Sequence, residues 1–188
     1  MLTAGPYLAA FQLLTDDFRT VQQYVEPTDA NLTTYSHRLY ELFLRACTEF
    51  ESVCKDLLVT NGSRKSISDM NINDYRTLEP HLQLESKEVG LLSWVPATAY
   101  VRPFQNWSTA VPPLSWYSEY NQVKHNRQNE FSRASLSNVR LAVAAQFALL
   151  VASNLIVPKF GTQEVNNGGG QTRAYLSWIS IFAGAMNK

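Results

Sequence analysis

A chain of 188 residues is long enough to bury a hydrophobic core without disulfides or a structural metal, and it fits one domain. Its 16 Lys and Arg residues balance its 16 Asp and Glu residues, so it lacks the overall basic excess of a dedicated nucleic-acid binder. The charge is uneven, because residues 1–60 carry eight acidic and four basic side chains and residues 61–188 carry eight and twelve. This uneven distribution is compatible with a small local basic patch.

Two cysteines, Cys47 and Cys54, lie on the same stripe of a predicted helix about two turns apart, which is too far for a disulfide. Neither has another Cys or a His at the spacing of zinc ligands. We therefore predict buried free thiols, no metal site and no cofactor. Residues 1–6 lack the basic and apolar segments of a secretory signal, so we expect a reducing, cytoplasmic location.

Apolar residues recur every three or four positions in two N-terminal segments, which predicts amphipathic helices. The first is predicted over residues 7–25, where Glu-Pro follows, and the second over about 33–59, where Asn-Gly supplies the stop. Residues 62–87 are polar and predict a connector with one short helix. β-favouring residues from 88 to 104 predict a two-stranded hairpin or an extended excursion over one face of the bundle.

Two further helices are predicted in the second half of the chain. Ser115 follows an extended Val-Pro-Pro run and can cap a helix that continues to about Asn129. Residues 132–157 predict a buried central helix that a proline ends. A membrane span is the alternative for its apolar part, but that run falls below the roughly 20 residues that a bilayer requires.

A run of Asn-Asn-Gly-Gly-Gly lies within residues 161–172 and predicts a mobile loop, since no nucleotide-binding glycine pattern surrounds it. Residues 175–182 predict a short apolar helix or strand. The sequence therefore predicts an all-α fold. It is a helical bundle of about five to six helices with a small β-hairpin or extended insertion near 88–104, in a single domain over residues 1–188.

Residues 116–131 contain the most informative polar cluster. On a helix, positions three, four and seven apart share a face, which groups Tyr117, Asn121, Lys124, His125 and Gln128, with Tyr120 and Arg127 on a neighbouring stripe. An imidazole exchanges protons near neutral pH, Lys and Arg hold phosphate, and Asn can orient the ring or donate to an oxyanion. These are the groups that metal-independent RNA cleavage requires.

The same residue types also have structural explanations. A His four residues from an Asn often bonds to a neighbouring helix, and Lys and Arg on the same turn often form a solvated edge. Glu49, or less favourably Glu51, is a candidate to face His125 and favour its protonated form, but Glu49 also lies four residues after an arginine with which it can pair. His37 and His81 have no partner at useful spacing and are predicted to be solvated or locally bonded.

The segment Tyr-Asn-x-Val-Lys-His-x-Arg at 120–127 follows a helix with Arg-Ala-Cys-Thr-Glu-Phe-Glu at 45–51 and precedes a long apolar helix. This arrangement resembles the HEPN superfamily of helical domains (higher eukaryote and prokaryote nucleotide-binding), and in particular its uncharacterised bacterial members. The resemblance covers roughly residues 33–157. Further similarity comes from Trp116-Tyr117, Phe131, Arg102-Pro103-Phe104 and Trp107.

The resemblance implies a function. Many HEPN proteins are RNases of toxin–antitoxin, abortive-infection or CRISPR systems, and they act as dimers that bring two motif helices together. Their catalytic signature is an Arg, a polar residue and, four to six residues after the Arg, a His. His125 matches the His and Asn121 the polar position, but Tyr120 stands where the Arg should be and cannot carry its charge. Lys124 or Arg127 would have to substitute.

The leading hypothesis is a cytoplasmic HEPN-like domain that contacts RNA or nucleotide phosphate, with metal-independent endoribonuclease activity in antiviral defence or a toxin–antitoxin pair. The predicted catalytic residues are His125, Asn121, Lys124 and Arg127, and the predicted substrate-binding residues are Tyr117, Tyr120 and Glu49. The expected partners are RNA or a nucleotide, a second copy of the chain through the motif helix, and a neutralising protein. No membrane partner is expected.

Two alternatives remain open from the sequence. A catalytically silent HEPN-like protein would use the motif helix as a dimer or partner interface, anchored by Trp116, Tyr117 and Tyr120. A small-molecule-binding domain would use the hairpin aromatics Trp94, Tyr100 and Trp107 as a lid.

Overall fold

The computed structural model describes residues 2–112, 114–156, 162–165 and 171–176. In these ranges the α-helices are α1 (Ala4–Val21), α2 (His37–Thr60), α3 (Ile72–Tyr75), α4 (Glu79–Leu82), α5 (Ser115–His125), α6 (Arg127–Glu130) and α7 (Leu136–Ala152). The strands are β1 (Lys87–Leu91), β2 (Ala99–Val101), β3 (Thr162–Val165) and β4 (Gln171–Leu176). The predicted helical bundle with a small hairpin is confirmed.

Helices α2 and α7 form the centre of the bundle, and α1 and α5 pack beside them. The apolar stripe of α2 is buried as its spacing predicts, at Leu39, Leu42, Phe43, Ala46, Phe50 and Val53. Helix α7 is buried without interruption over residues 142–150, which confirms the prediction of a central buried helix. Within the described ranges, no helix is both long enough and apolar enough to cross a membrane.

Helix α7 is shorter at both ends than the predicted span of 132–157. Its start is set by Ser135, whose Oγ accepts a hydrogen bond from the backbone N of Asn138 at 3.4 Å, as an N-cap does. At its other end the Ser153 hydroxyl bonds back to a helical carbonyl, and Asn154 adopts a left-handed φ of 57°. The chain therefore leaves the helix well before the proline.

Helices α1 and α2 also differ from prediction mainly at their ends. Helix α1 stops at Val21 rather than at residue 25, although one more backbone bond joins Val25 N to Val21 O at 3.0 Å. Helix α2 begins later than residue 33 because Ser36 caps it, its Oγ accepting from Leu39 N at 3.2 Å. Arg45 of α2 pairs with Asp17 of α1, which links the two helices.

The hairpin predicted near 88–104 is present as the antiparallel pair β1 and β2, with Val89 opposite Val101. Strand β1 also pairs in parallel with β4, which pairs antiparallel with β3, so the strand order is β2-β1-β4-β3. The prediction of a mobile loop over 161–172 is wrong for residues 162–165 and 171–172, because ladder hydrogen bonds fix both segments as strands. Its glycine run, and the end of the predicted segment 175–182, lie outside the described residues.

Phe50 of α2 lies at the centre of an aromatic cluster that joins α2 to α5. The centroid of its ring is 5.3 Å from that of Trp116 and 6.2 Å from that of Tyr117. Phe104 and Tyr75 contact the same ring at 5.9 and 6.2 Å. The Trp116 indole N–H also donates to the backbone carbonyl of Pro103 at 2.8 Å, so α5 is held by packing and by a buried hydrogen bond.

The hairpin aromatics Trp94, Tyr100 and Trp107 do not form the lid of a small-molecule site. Trp94 and Trp107 are buried in the core at 5% and 0% exposure, and only Tyr100 is exposed. The two indoles are core residues because large aromatic side chains gain most by leaving water. The small-molecule lid hypothesis is therefore wrong.

Both cysteines are buried free thiols, as predicted. Burial raises the pKa of the Cys47 and Cys54 thiols well above the ordinary value, and the nearby carboxylate of Glu51 raises it further. Such thiols are inert, because the thiolate is the reactive form.

Candidate functional site at the end of helix α5

Helix α5 runs antiparallel to α2, and this direction determines what each motif residue meets. Tyr117 contacts Glu51, Tyr120 contacts Phe43, and Arg127 beyond the helix contacts Tyr40. Progress along α5 thus corresponds to progress toward the N-terminus of α2. The motif is spread along the seam between the two helices.

The two motif tyrosines belong to the core side of this seam. Tyr117 is 6% exposed, and its hydroxyl donates a hydrogen bond to Glu51 Oε1 at 2.7 Å. Tyr120 is 1% exposed, and its ring lies against Phe43 with a centroid distance of 6.1 Å. Burial is the main cause that raises the pKa of each phenol. In this conformation neither side chain offers surface to a substrate, so both are structural where the sequence predicted substrate contact.

Helix α5 ends at His125, four residues before the predicted end at Asn129. Asn126 leaves helical geometry with φ −142° and ψ 53°, and its side-chain oxygen accepts from Asn129 Nδ2 at 3.0 Å. The side chain of Asn readily forms local hydrogen bonds that compete with the backbone bonds of a helix, so Asn is common at helix ends. Because of this break, Arg127 opens a separate helix, α6, and does not continue the face of α5.

The predicted general base lies at the surface. His125 is exposed, and Asn121, one turn earlier, is half-buried. Lys124 and His125 occupy the last turn of α5, where positive charge also stabilises a helix through its dipole. The sequence prediction that Asn121 and His125 share a helix face follows directly from their spacing within α5.

The two motif cations each contact the ring of a tyrosine, one on α5 and one on α2. Lys124 Nζ lies 5.1 Å from the centroid of the Tyr120 ring. Its pKa is raised, first by its hydrogen bond with the Tyr120 hydroxyl and further by the charge of Glu51. Arg127 Cζ lies 4.8 Å from the centroid of the Tyr40 ring. Among the described residues, neither cation has a carboxylate within ion-pair distance.

The carboxylate that reaches α5 is Glu51 and not the predicted Glu49. Glu51 accepts the Tyr117 hydroxyl bond, whereas Glu49 is half-buried and the arginine four residues before it pairs with Asp17. Glu51 and Glu49 are two residues apart, which on a helix places them on different sides. The expected pairing of Glu49 with that arginine is wrong.

His37 is the site residue that the sequence prediction missed. Its Nδ1 lies 3.1 Å from Arg127 Nη2, and its ring centroid is 4.9 Å from that of Phe131. The ring is exposed, as predicted, and what the sequence did not predict is its contact with Arg127, 90 residues away. No local pattern signals such a contact. Phe131, which contacts the His37 ring, was indicated only by the family resemblance.

Loss of the Tyr117 hydroxyl should weaken the seam measurably. We expect Tyr117→Phe to lower the free energy of unfolding by about 1.5 kcal/mol, because Glu51 loses a donor to its charged carboxylate. Chemical denaturation of both proteins measures the difference. Tyr24→Phe is the control, since Tyr24 is 85% exposed. Equal stability of Tyr117→Phe and the unaltered protein would show that water replaces the bond at no cost.

No group of three or more His, Cys, Asp or Glu side chains that could hold a metal ion gathers in the described ranges. The arrangement at the end of α5 is instead one exposed imidazole with two cations nearby. Comparison of the chain with family models, with curated proteins and with solved structures gave no match.

Proposed function

We propose that the chain is a HEPN-like domain that binds RNA at the motif surface, which we define as Asn121, Lys124, His125 and Arg127. The observation that carries this proposal is the exposure of the last three side chains, with no ion pair to a carboxylate within the described residues. Two cations and an imidazole are thus offered to an anionic ligand. The resemblance of residues 120–127 to the HEPN motif supports RNA as that ligand.

We also propose that the bound RNA is cleaved without a metal ion. His125 accepts the proton of a ribose 2′-hydroxyl while that oxygen attacks the adjacent phosphorus. The bond from phosphorus to the 5′ oxygen breaks, this oxygen takes a proton from water, and the hydroxide left behind takes the proton from His125 and restores the neutral imidazole. The products are a 2′,3′-cyclic phosphate and a 5′-hydroxyl. Lys124 and Arg127 balance the charge that develops on the phosphoryl oxygens, and Asn121 orients the imidazole.

The proposed setting is the cytoplasm, in a toxin–antitoxin or antiviral defence system with a homodimer and a neutralising protein. The family resemblance is the support for the defence role and for the partners. The two buried free thiols support a reducing compartment.

The binding part of the proposal predicts a specific dependence on salt. Each phosphate contact to single-stranded nucleic acid contributes about 0.7 to the slope of log K against log salt concentration. We therefore expect Lys124→Ala and Arg127→Ala each to lower that slope by about 0.7 and to weaken binding to RNA of mixed sequence. Fluorescence anisotropy with a labelled single strand, titrated at several salt concentrations, measures both quantities.

Arg19→Ala is the matched control for these variants. Arg19 is also exposed, but it lies on α1 and pairs with Asp16 at 3.1 Å, so its removal should leave the slope unchanged. If the unaltered protein does not bind RNA, or if all three variants bind with the same slope, the motif surface does not hold phosphate.

The silent-module alternative relied on Trp116, Tyr117 and Tyr120 as interface anchors. All three are buried within one copy of the chain, at 1%, 6% and 1% exposure. A side chain that is already desolvated cannot gain further by meeting a partner. We therefore prefer the RNA-binding proposal.

A further inference from the structure

A group of aromatic rings surrounds Arg127 at the N-terminal end of α2. This Phe131 cluster consists of Phe131, Tyr35, His37, Tyr40 and Arg127. The centroid of the Phe131 ring lies 5.8 Å from that of Tyr35, 4.9 Å from that of His37 and 5.6 Å from that of Tyr40. Arg127 Cζ lies 5.5 Å from the same centroid. Residues from two separate stretches of the chain, 35–40 and 127–131, thus meet at one surface.

Backbone bonds hold the cluster in place. The segment before α2 pairs with the first residues of α7, since Leu136 N donates to Thr34 O at 2.8 Å and Ser137 N donates to Leu32 O at 2.9 Å. Tyr35 itself forms an antiparallel bridge with Ser135. The ring of Tyr35 therefore projects from a backbone that is fixed on both sides, which limits the entropy that a ligand must remove on binding.

Arg127 keeps donors available in this arrangement. A guanidinium has five N–H donors and no acceptor, so in its contact with His37 the ring nitrogen Nδ1 accepts. Tyr40 and Phe131 contact Arg127 through their rings, and such contacts use no N–H group. The remaining donors of an exposed side chain can then bind a phosphate.

Tyr35 places an exposed aromatic surface against Phe131, whose ring also contacts Arg127. Its side chain is 51% exposed although it is large and apolar in most of its area. Aromatic rings next to basic side chains are how proteins hold single-stranded nucleic acid, because each base has a face that can stack. A double helix keeps its bases stacked on each other and would not use such a ring.

We propose that Tyr35 is the stacking platform of a nucleotide subsite for single-stranded RNA, with Arg127 holding the adjacent phosphate and His37 positioning Arg127. This inference rests on the proposed RNA-binding function and adds the strandedness and the base contact to it. It also extends the RNA path from the end of α5 to the start of α2.

The test uses two protein variants and one change in the RNA. We expect Tyr35→Ala to weaken binding of a short oligouridylate about 5- to 150-fold, the effect of losing one stacked base, with an unchanged salt slope. Tyr35→Phe keeps the ring and should bind as the unaltered protein does. A set of oligonucleotides, each with an abasic nucleotide at a different position, locates the stacked base. At one position the missing base should weaken binding to the unaltered protein but not to Tyr35→Ala.

The possible outcomes distinguish the Tyr35 stacking subsite from the proposed RNA-binding function. RNA binding that depends on Lys124 and Arg127 but is equally tight in Tyr35→Ala would overturn the stacking subsite and leave the proposed function in place. No RNA binding by the unaltered protein would overturn both. Tyr24→Ala removes another exposed tyrosine, and weakening by that variant to the same extent would overturn the specific role of Tyr35. Circular dichroism confirms that each variant is folded.

Discussion

Phe50→Ala is expected to lower the free energy of unfolding by about 3–5 kcal/mol, the range measured for buried phenylalanines. The side chain is fully buried, and its ring contacts four aromatic side chains that come from three separate parts of the chain. Alanine would leave a cavity among rigid rings that cannot easily collapse into it. A loss of this size is a large part of the total stability of a single domain.

Urea denaturation followed by far-UV circular dichroism measures this change as a shift of the midpoint. Leu13→Ala on α1 is the control, because Leu13 is 64% exposed and its removal should change stability by no more than about 0.5 kcal/mol. A loss for Phe50→Ala that is as small as that of the control would show that the cluster repacks and does not hold α5 on α2.

His125→Ala is expected to slow RNA cleavage by about 100- to 10,000-fold, the contribution of a general acid or base. Binding should change little, because Lys124 and Arg127 still hold phosphate. The measurement is the rate of cleavage of a mixed single-stranded RNA pool in the presence of EDTA, followed on a denaturing gel. EDTA binds divalent metal ions and so inactivates any contaminating metal-dependent nuclease.

His81→Ala is the matched control for the cleavage assay. His81 is also an exposed histidine near the end of a helix, but it lies on α4, so its loss should leave the rate unchanged. Cleavage at the full rate by His125→Ala would exclude this residue as the base. If the unaltered protein binds RNA in the salt-dependent way described but cleaves none, the function is binding alone.

The helices were predictable because their signal is local. The spacing of apolar residues in α2 and α7 follows the helical period, and packing a bundle requires that stripe to be buried. The helix ends were less predictable, since a single side chain decides them. Ser135 starts α7 and Asn126 ends α5, and many Ser and Asn residues in the chain could have done the same.

The candidate site was predictable only in part, because sequence periodicity groups residues on a face without saying which face meets the core. Tyr117 and Tyr120 share the helix with His125, yet they are buried and His125 is exposed. Tyrosine suits either environment, since it has an apolar ring and a polar hydroxyl. The composition of the motif therefore could not separate core positions from surface positions.

Contacts between distant parts of the chain were beyond the sequence patterns. Arg127 meets His37 across 90 residues, and Tyr117 meets Glu51 across 66. The pairing of β1 with β4 is also long-range and parallel. Such contacts depend on how the helices and strands are arranged in space, which a local pattern does not encode.

Glu51 has opposite effects on the stability of the fold and on the attraction of the motif surface for phosphate. Its carboxylate accepts the buried Tyr117 hydroxyl and also lies close enough to raise the pKa of Lys124. A negative charge under a cationic surface weakens the attraction of that surface for phosphate. In the proposed RNA complex, removal of this charge would strengthen phosphate binding, but the hydroxyl of Tyr117 would then lose its acceptor in the core.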